Sequence, residues 1–172
     1  MERRRLVIVL LFATAGSAFA WTVVSKPPGA PVHADRVLVE KAQRRLTLLW
    51  KGTAVKRYRV ALGKAPVGKK QCQGDNRTPE GLYRIDSRNA QSAYHRSLHV
   101  SYPNAEDVAH ARRQRCRPGG DIMIHGLPKR FGWLGATHTA TDWTQGCIAV
   151  TDAEIEEIWG AVPNGTAVEI RP

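Results

Sequence analysis

Cysteine is scarce in this chain, with three among 172 residues, at positions 72, 116 and 147. No two stand at Cys-x2-Cys spacing, and the one His-x3-His spacing among the six histidines, His95 and His99, has no cysteine close by in sequence. A full set of zinc ligands at close spacing is therefore missing, and no cofactor or metal is expected. A Gly-rich phosphate loop and the dinucleotide fingerprint are missing too, which removes the usual handles for nucleotide chemistry. Acidic residues are few, 15 Asp and Glu against 26 Lys and Arg, for a net charge of +11. That surplus suits an anionic partner. Without a basic stripe interleaved with stacking aromatics, or a recognisable nucleic-acid module, the partner is not nucleic acid. Beyond residue 24 no run is apolar enough to span a bilayer, and no internal repeat is visible.

The N-terminus carries a targeting pattern. Arg3, Arg4 and Arg5 precede an uncharged, mostly apolar stretch at 6–24, and Ala18-Phe19-Ala20 fits a small-x-small cleavage site. The stretch is also near the length of a membrane span. Residues 1–24 thus read as a signal peptide that is cleaved, or as a signal anchor with its arginines on the cytoplasmic side. Both place the rest of the chain in the periplasm or cell envelope, touching the membrane only through this segment if it is uncleaved. Residues 25–34, with three prolines, form a linker. Residues 35–172 remain as one domain, long enough to bury a core.

Alternating apolar residues dominate that domain. Val37 and Val39, then Leu46, Leu48 and Trp50, then Val55, Tyr58 and Val60 read as a meander, with turns at Lys41–Arg44 and Lys51-Gly52. Gly63 to Arg77 is a polar loop, and Pro79-Glu80-Gly81 turns into a strand at 82–86. Further strands are expected at 97–101, 121–125 and 166–170. Ala105–Arg115 is a helix candidate with few apolar residues. Thr151 to Trp159 is a better one, since Thr151 and Glu154 fit a capping box and Ile155, Ile158 and Trp159 share a face. The class is mostly β (α+β), with one or two short helices.

Two segments carry chemistry, Ile-Met-Ile-His-Gly at 122–126 and Thr-Gln-Gly-Cys-Ile at 144–148. Cys147 follows Gly146, so the backbone can turn tightly and leave the sulfur and the nearby N–H groups open. A thiol beside an imidazole is a nucleophile with its own base, the minimum for acyl transfer. The competing reading of Cys147 is a small, inert core residue, and that of His125 is a satisfied core histidine. The N–H groups of Gly146 and Cys147 are natural donors to an oxyanion. His138, in Gly-Ala-Thr-His-Thr, reads as an exposed loop histidine. If Cys147 is the nucleophile, Cys72 and Cys116 are left to form a disulfide or to remain two free thiols.

Gly-Asp-Asn-Arg-Thr-Pro-Glu-Gly-Leu-Tyr (74–83), Ser-Leu-His-Val-Ser-Tyr-Pro-Asn (97–104), Gly-Asp-Ile-Met-Ile-His-Gly (120–126) and Gly-Cys-Ile (146–148) together resemble the L,D-transpeptidase (YkuD-type) catalytic domain of bacterial cell-wall enzymes. The resemblance implies a β-sandwich-like fold over 35–172. It also implies a reaction in which Cys147 attacks the diaminopimelate–D-alanine bond of a peptidoglycan stem peptide and passes the acyl group to an amine. The alternatives are hydrolysis, as an L,D-carboxypeptidase or amidase, and a non-catalytic wall-binding protein. Carried over by position, His125 is the general base and the Gly126 carbonyl orients it. Gln145 stands where the family has a histidine, as a polar orienter, and Ala149 where it has an arginine. The segment holding His99 and Tyr102 runs near the cleft in the family, and Trp143 is a candidate to line the substrate groove.

Overall fold

The computed structural model describes residues 32–172. The targeting segment at 1–24 and most of the 25–34 linker lie outside the described residues. Strand β1 (Arg36–Glu40) buries Val37 and Val39 and turns its alternate residues outward, as period-two alternation requires. It pairs antiparallel with β2 (Arg45–Trp50), and β2 pairs antiparallel with β3 (Thr53–Arg59). The β2–β3 hairpin closes through Lys51 (φ 50°) and Gly52 (φ 81°), two successive positive φ values whose twist matches that of the flanking strands.

The fourth strand, β4, runs over Gly81–Asn89, longer than the sequence suggests, and a bulge between Ile85 and Ser87 bends it. Strands β5 (Ser97–Val100), β6 (Met123–His125) and β7 (Ile148–Ala149) continue the sheet beyond that bend. The last strand, β8 (Ala167–Arg171), lies in the middle, parallel to β1 and antiparallel to β4. The order is β3-β2-β1-β8-β4-β5-β6-β7. The sheet curls until the continuation of β3 meets β7, through bridges from Ala61 to Ala149 and from Gly63 to Thr144. The core fills the inside of the curl. Each fully buried aliphatic side chain, such as Leu48, Ile85 or Ile124, contributes about 1.5–3 kcal/mol.

Helix α1 (Ala105–Arg113) is capped by Asn104 with Asp107 in a reciprocal capping box. Helix α2 (Asp152–Ala161) starts at the Thr151/Glu154 box and lays Ile155 and Ile158 onto the core. A third helical stretch was not legible, a 3-10 segment over Gly132–Ala140, broken at Gly135 (φ 49°). Its threonines fold it locally, since the Thr137 and Thr139 hydroxyls donate to the Leu134 and Ala136 carbonyls at 2.6 and 2.9 Å. A buried lysine interrupts the apolar interior. Lys41, 2 % exposed, gives its three protons to Gly68 O (2.7 Å), Thr78 O (3.1 Å) and Glu80 Oε1 (2.6 Å), which holds the 63–80 loop against the β1–β2 turn. Among the described residues, no helix is long and apolar enough to cross a membrane.

Candidate active site

The β6–β7 ladder brings the two chemically able residues together. Ile124 pairs with Ile148 and His125 with Ala149, in parallel. Cys147 lies two residues before Ala149, so it falls on the same side of the sheet as His125, one strand over. It enters β7 from a turn that only glycine can make. Gly146 has φ 132°, and a Cβ there would stand 2.7 Å from the Arg77 carbonyl oxygen. The Thr144 hydroxyl stitches the turn, accepting from Gly146 N–H at 3.1 Å and donating to the Cys147 carbonyl at 2.8 Å. This corrects one expectation. The Gly146 N–H is already spent on Thr144, whereas the Cys147 N–H takes no part in the hydrogen bonds of the turn.

The sulfur is held by the loop leading into β6. Its S–H donates to Asp121 O at 3.5 Å, and the Met123 N–H donates to the sulfur. Burial raises the thiol above its ordinary value; the Met123 N–H and the Lys70 ammonium act against that rise, and the Asp121 carboxylate adds to it.

His125 is 4 % exposed, and its Nδ1 lies 2.6 Å from Gly126 O. A carbonyl can only accept, so Nδ1 carries the proton and neutral Nε2 keeps its lone pair. Burial lowers the imidazole to about 4, despite the opposing Gly126 carbonyl. The ring is packed between aromatics, with centroids 4.5 Å from Tyr94 and 5.9 Å from Trp143. Gly126 itself has no room for a side chain, because a Cβ would meet an Asp152 carboxylate oxygen at 2.7 Å. That carboxylate accepts the Leu127 N–H at 2.8 Å and so pins the segment after the histidine to the start of α2.

Cys147 and His125 open onto one cavity of about 510 Å³, whose wall also includes Trp143, Gln145, Tyr94, Lys64, Lys70 and Asp121. Gln145 is exposed and its amide makes no side-chain hydrogen bond among the described residues, so it holds neither His125 nor Cys147 in place. The two other expected substrate contacts lie elsewhere. His99 is on β5 with Nδ1 2.6 Å from Asp86, and Tyr102 is buried in the core with its hydroxyl on Pro118 O at 2.9 Å. Strand alternation explains His99, which points away from the core between the buried Leu98 and Val100, whereas Tyr102 lies past the end of β5 and packs into the core. His138 is not an exposed loop residue either. It is 5 % exposed, on the inward side of the 3-10 segment to which it belongs, where burial lowers its pKa. Ala149 is wholly buried with its backbone doubly bonded to Ala61, so no side chain at that position contributes charge to the cavity.

One wall of the cavity is stapled. Cys72 and Cys116 form a disulfide, and Gln73 N–H donates to Arg117 O at 2.7 Å beside it. The staple joins the 63–80 loop to the segment after α1, and Gln73, Gly74, Gly119 and Gly120 of those segments line the cavity. Lys70, 4 % exposed, is fixed in the same wall by Asp75 at 2.8 Å and Cys72 O at 3.1 Å. Lys64, Lys70, Tyr94 and Asp121 were not among the expected site residues. Lys64 and Lys70 stand in a loop with no periodic signal, and the folding of that loop against the Thr144–Cys147 turn brings them to the cavity. The assembled groups suit a neutral thiol attacking a carbonyl while a neutral imidazole takes its proton.

The family model for the YkuD L,D-transpeptidase catalytic domain matches residues 34–170. A protein of Escherichia coli strain K12 named "Putative L,D-transpeptidase YafK" is 30% identical over 138 residues, which is 74% of this chain and 53% of that protein. The chain thus spans about half the length of the curated relatives it matches. The crystal structure of the helical cell shape determining protein Pgp2 (K307A mutant) from Campylobacter jejuni superposes with a TM-score of 0.60 at 26% identity, covering 79% of this chain and 46% of that one. An L,D-transpeptidase from Xylanimonas cellulosilytica shares the fold at 15% identity, TM-score 0.53, over 86% of this chain and 65% of that one.

Proposed function

From the premise that this chain belongs to the L,D-transpeptidase catalytic-domain family, we propose that it is an exported cysteine acyltransferase of peptidoglycan, with residues 35–172 as its catalytic domain and 1–24 as signal peptide or anchor. Cys147 attacks the diaminopimelyl carbonyl of a tetrapeptide stem. His125 Nε2 takes the thiol proton and returns it to the departing D-alanine amine. The Cys147 N–H donates to the oxyanion. An amine then takes the acyl group from the thioester; water in its place would make the enzyme a carboxypeptidase or amidase. The observation that supports this reading most is the pairing of an oriented, neutral His125 with Cys147 on one cavity wall. The kinship to a cell shape determining protein suggests the same use here, remodelling wall peptides.

The test is incubation of the domain with purified muropeptides and identification of products by mass. Loss of D-alanine with a new crosslink supports transfer, and loss of D-alanine alone supports hydrolysis. Intact muropeptides with the native protein, or turnover that persists in Cys147→Ala, would overturn the proposal.

A further inference from the structure

Four cavity-lining side chains bear on its charge, namely Lys64, Lys70, Asp121 and His125. Burial keeps His125 neutral above pH about 4. Lys70 is already neutralised by Asp75, which also takes the Gln71, Cys72 and Arg77 N–H groups. Lys64 and Asp121 remain. Both are exposed, and among the described residues neither side chain has a hydrogen-bond or ion-pair partner. They do not pair with each other although they face the same space. Lys64 stands on the strand-like segment whose backbone bonds Thr144, just before the nucleophile turn. Asp121 stands on the opposite loop, its carbonyl on the sulfur and its backbone at φ 56°.

An unpaired carboxylate beside a nucleophilic thiol works against the thiolate. A site built only to activate sulfur would place a cation or a neutral group there. Asp121 therefore implies a second use for the position. A cation and an anion, each unpaired and set apart across one cavity, complement a ligand carrying the opposite pair.

We propose that the cavity reads a zwitterion, an α-amino-acid centre whose ammonium lies against Asp121 and whose carboxylate lies against Lys64. The inference rests on the reading of Cys147 as the attacking group, and it names the two specificity-determining residues of that site. In a stem peptide, the free end of a meso-diaminopimelate residue has this charge pattern, one amino and one carboxyl group on the carbon remote from the scissile bond. A stem with lysine at the same position lacks the carboxylate and binds more weakly.

The test measures binding, apart from turnover, in Cys147→Ala protein by calorimetry. The probes are the tetrapeptide L-Ala-γ-D-Glu-meso-diaminopimelate-D-Ala, its form N-acetylated on the diaminopimelyl amine, and its form amidated on the free diaminopimelyl carboxylate. Each modification is expected to weaken binding about tenfold, the size of one partly exposed charge-assisted contact. Adding Asp121→Asn should erase the effect of acetylation and leave that of amidation. Adding Lys64→Gln should do the reverse. Asparagine tolerates a left-handed backbone and residue 64 is exposed, so both variants keep the fold. Equal binding of the three peptides, penalties that survive both substitutions, or no saturable binding at millimolar peptide would each overturn the proposal. Charge-selective binding without D-alanine release by the native protein would overturn the proposed reaction alone.

Discussion

The opposite shifts at His125 and Cys147 predict a resting state that differs from a thiolate–imidazolium pair. The imidazole sits at about 4 and the thiol above its ordinary 9.0. Both shifts disfavour the ion pair, so the thiolate–imidazolium form is a minor species at rest. At pH 5 an unperturbed imidazole is neutral in only about 3 % of molecules, whereas one at about 4 is neutral in about 90 %. The base therefore stays competent well into the acid range, and acylation by an activated acyl donor should hold down to about pH 5. The thiolate itself is scarce until the alkaline side. Cys147 is the free cysteine, the other two being bonded to each other, so iodoacetamide reports one group. Its alkylation rate should climb about tenfold per pH unit between about pH 6 and 8, with no acid plateau. A flat rate between pH 4 and 8 that vanishes in His125→Ala would reveal a preformed ion pair and refute the reasoning. Stability follows with a definite sign. A histidine whose folded pKa is depressed lets the unfolded chain bind the proton more tightly. The stabilisation is complete above 6.5 and is lost as pH falls towards about 4, on the order of 3 kcal/mol.

Gly146→Ala should destabilise by about 2–4 kcal/mol in urea melts and slow alkylation of Cys147, because the new Cβ meets the Arg77 carbonyl at 2.7 Å and φ is 132°; a loss within about 0.5 kcal/mol would show that the turn relaxes freely. Replacing Cys72 and Cys116 by serine removes a bridge between residues 44 apart and should cost about 4 kcal/mol by the chain-entropy estimate, read as a fall in Cm; unchanged melting with and without reductant would contradict it. Lys41→Met leaves the Glu80 carboxylate and two carbonyls without their shared donor and should cost about 3–5 kcal/mol, with an unaltered melting midpoint as the refuting result.

Much of this molecule was legible from residue order. The meander, the caps at Thr151 and the placing of Cys147 near His125 follow from alternation, capping chemistry and short apolar runs. What was hidden depends on distant pairing. The 3-10 segment at Gly132–Ala140 has no helical period, and its threonines fold it through their own hydroxyls. His138 is buried because that segment turns it inward. His99 turns away from the site because β5 presents alternate residues to opposite sides, and Tyr102, past the end of that strand, is drawn into the core with its hydroxyl on Pro118 O. Gly146 kept its conformational role and lost its donor role once the Thr144 hydroxyl claimed the N–H, a local bond that spacing alone does not reveal. Lys64 and Lys70 come from a loop where nothing in the sequence separates them from the many other charged residues, and Asp121 opens the run expected as a strand at 121–125 with no sign in the sequence that it lines the cavity.

The central position of β8 has a consequence for how the protein comes into being. Its five residues, Ala167–Arg171, join the β1–β3 half of the sheet to the β4–β7 half. Until β8 docks between them, the meander and the β4–β7 half are two open fragments with bare edges. Assembly of the sheet therefore waits on one short strand paired over long sequence distances, and a variant with β8 disrupted would present aggregation-prone edges in place of one sheet.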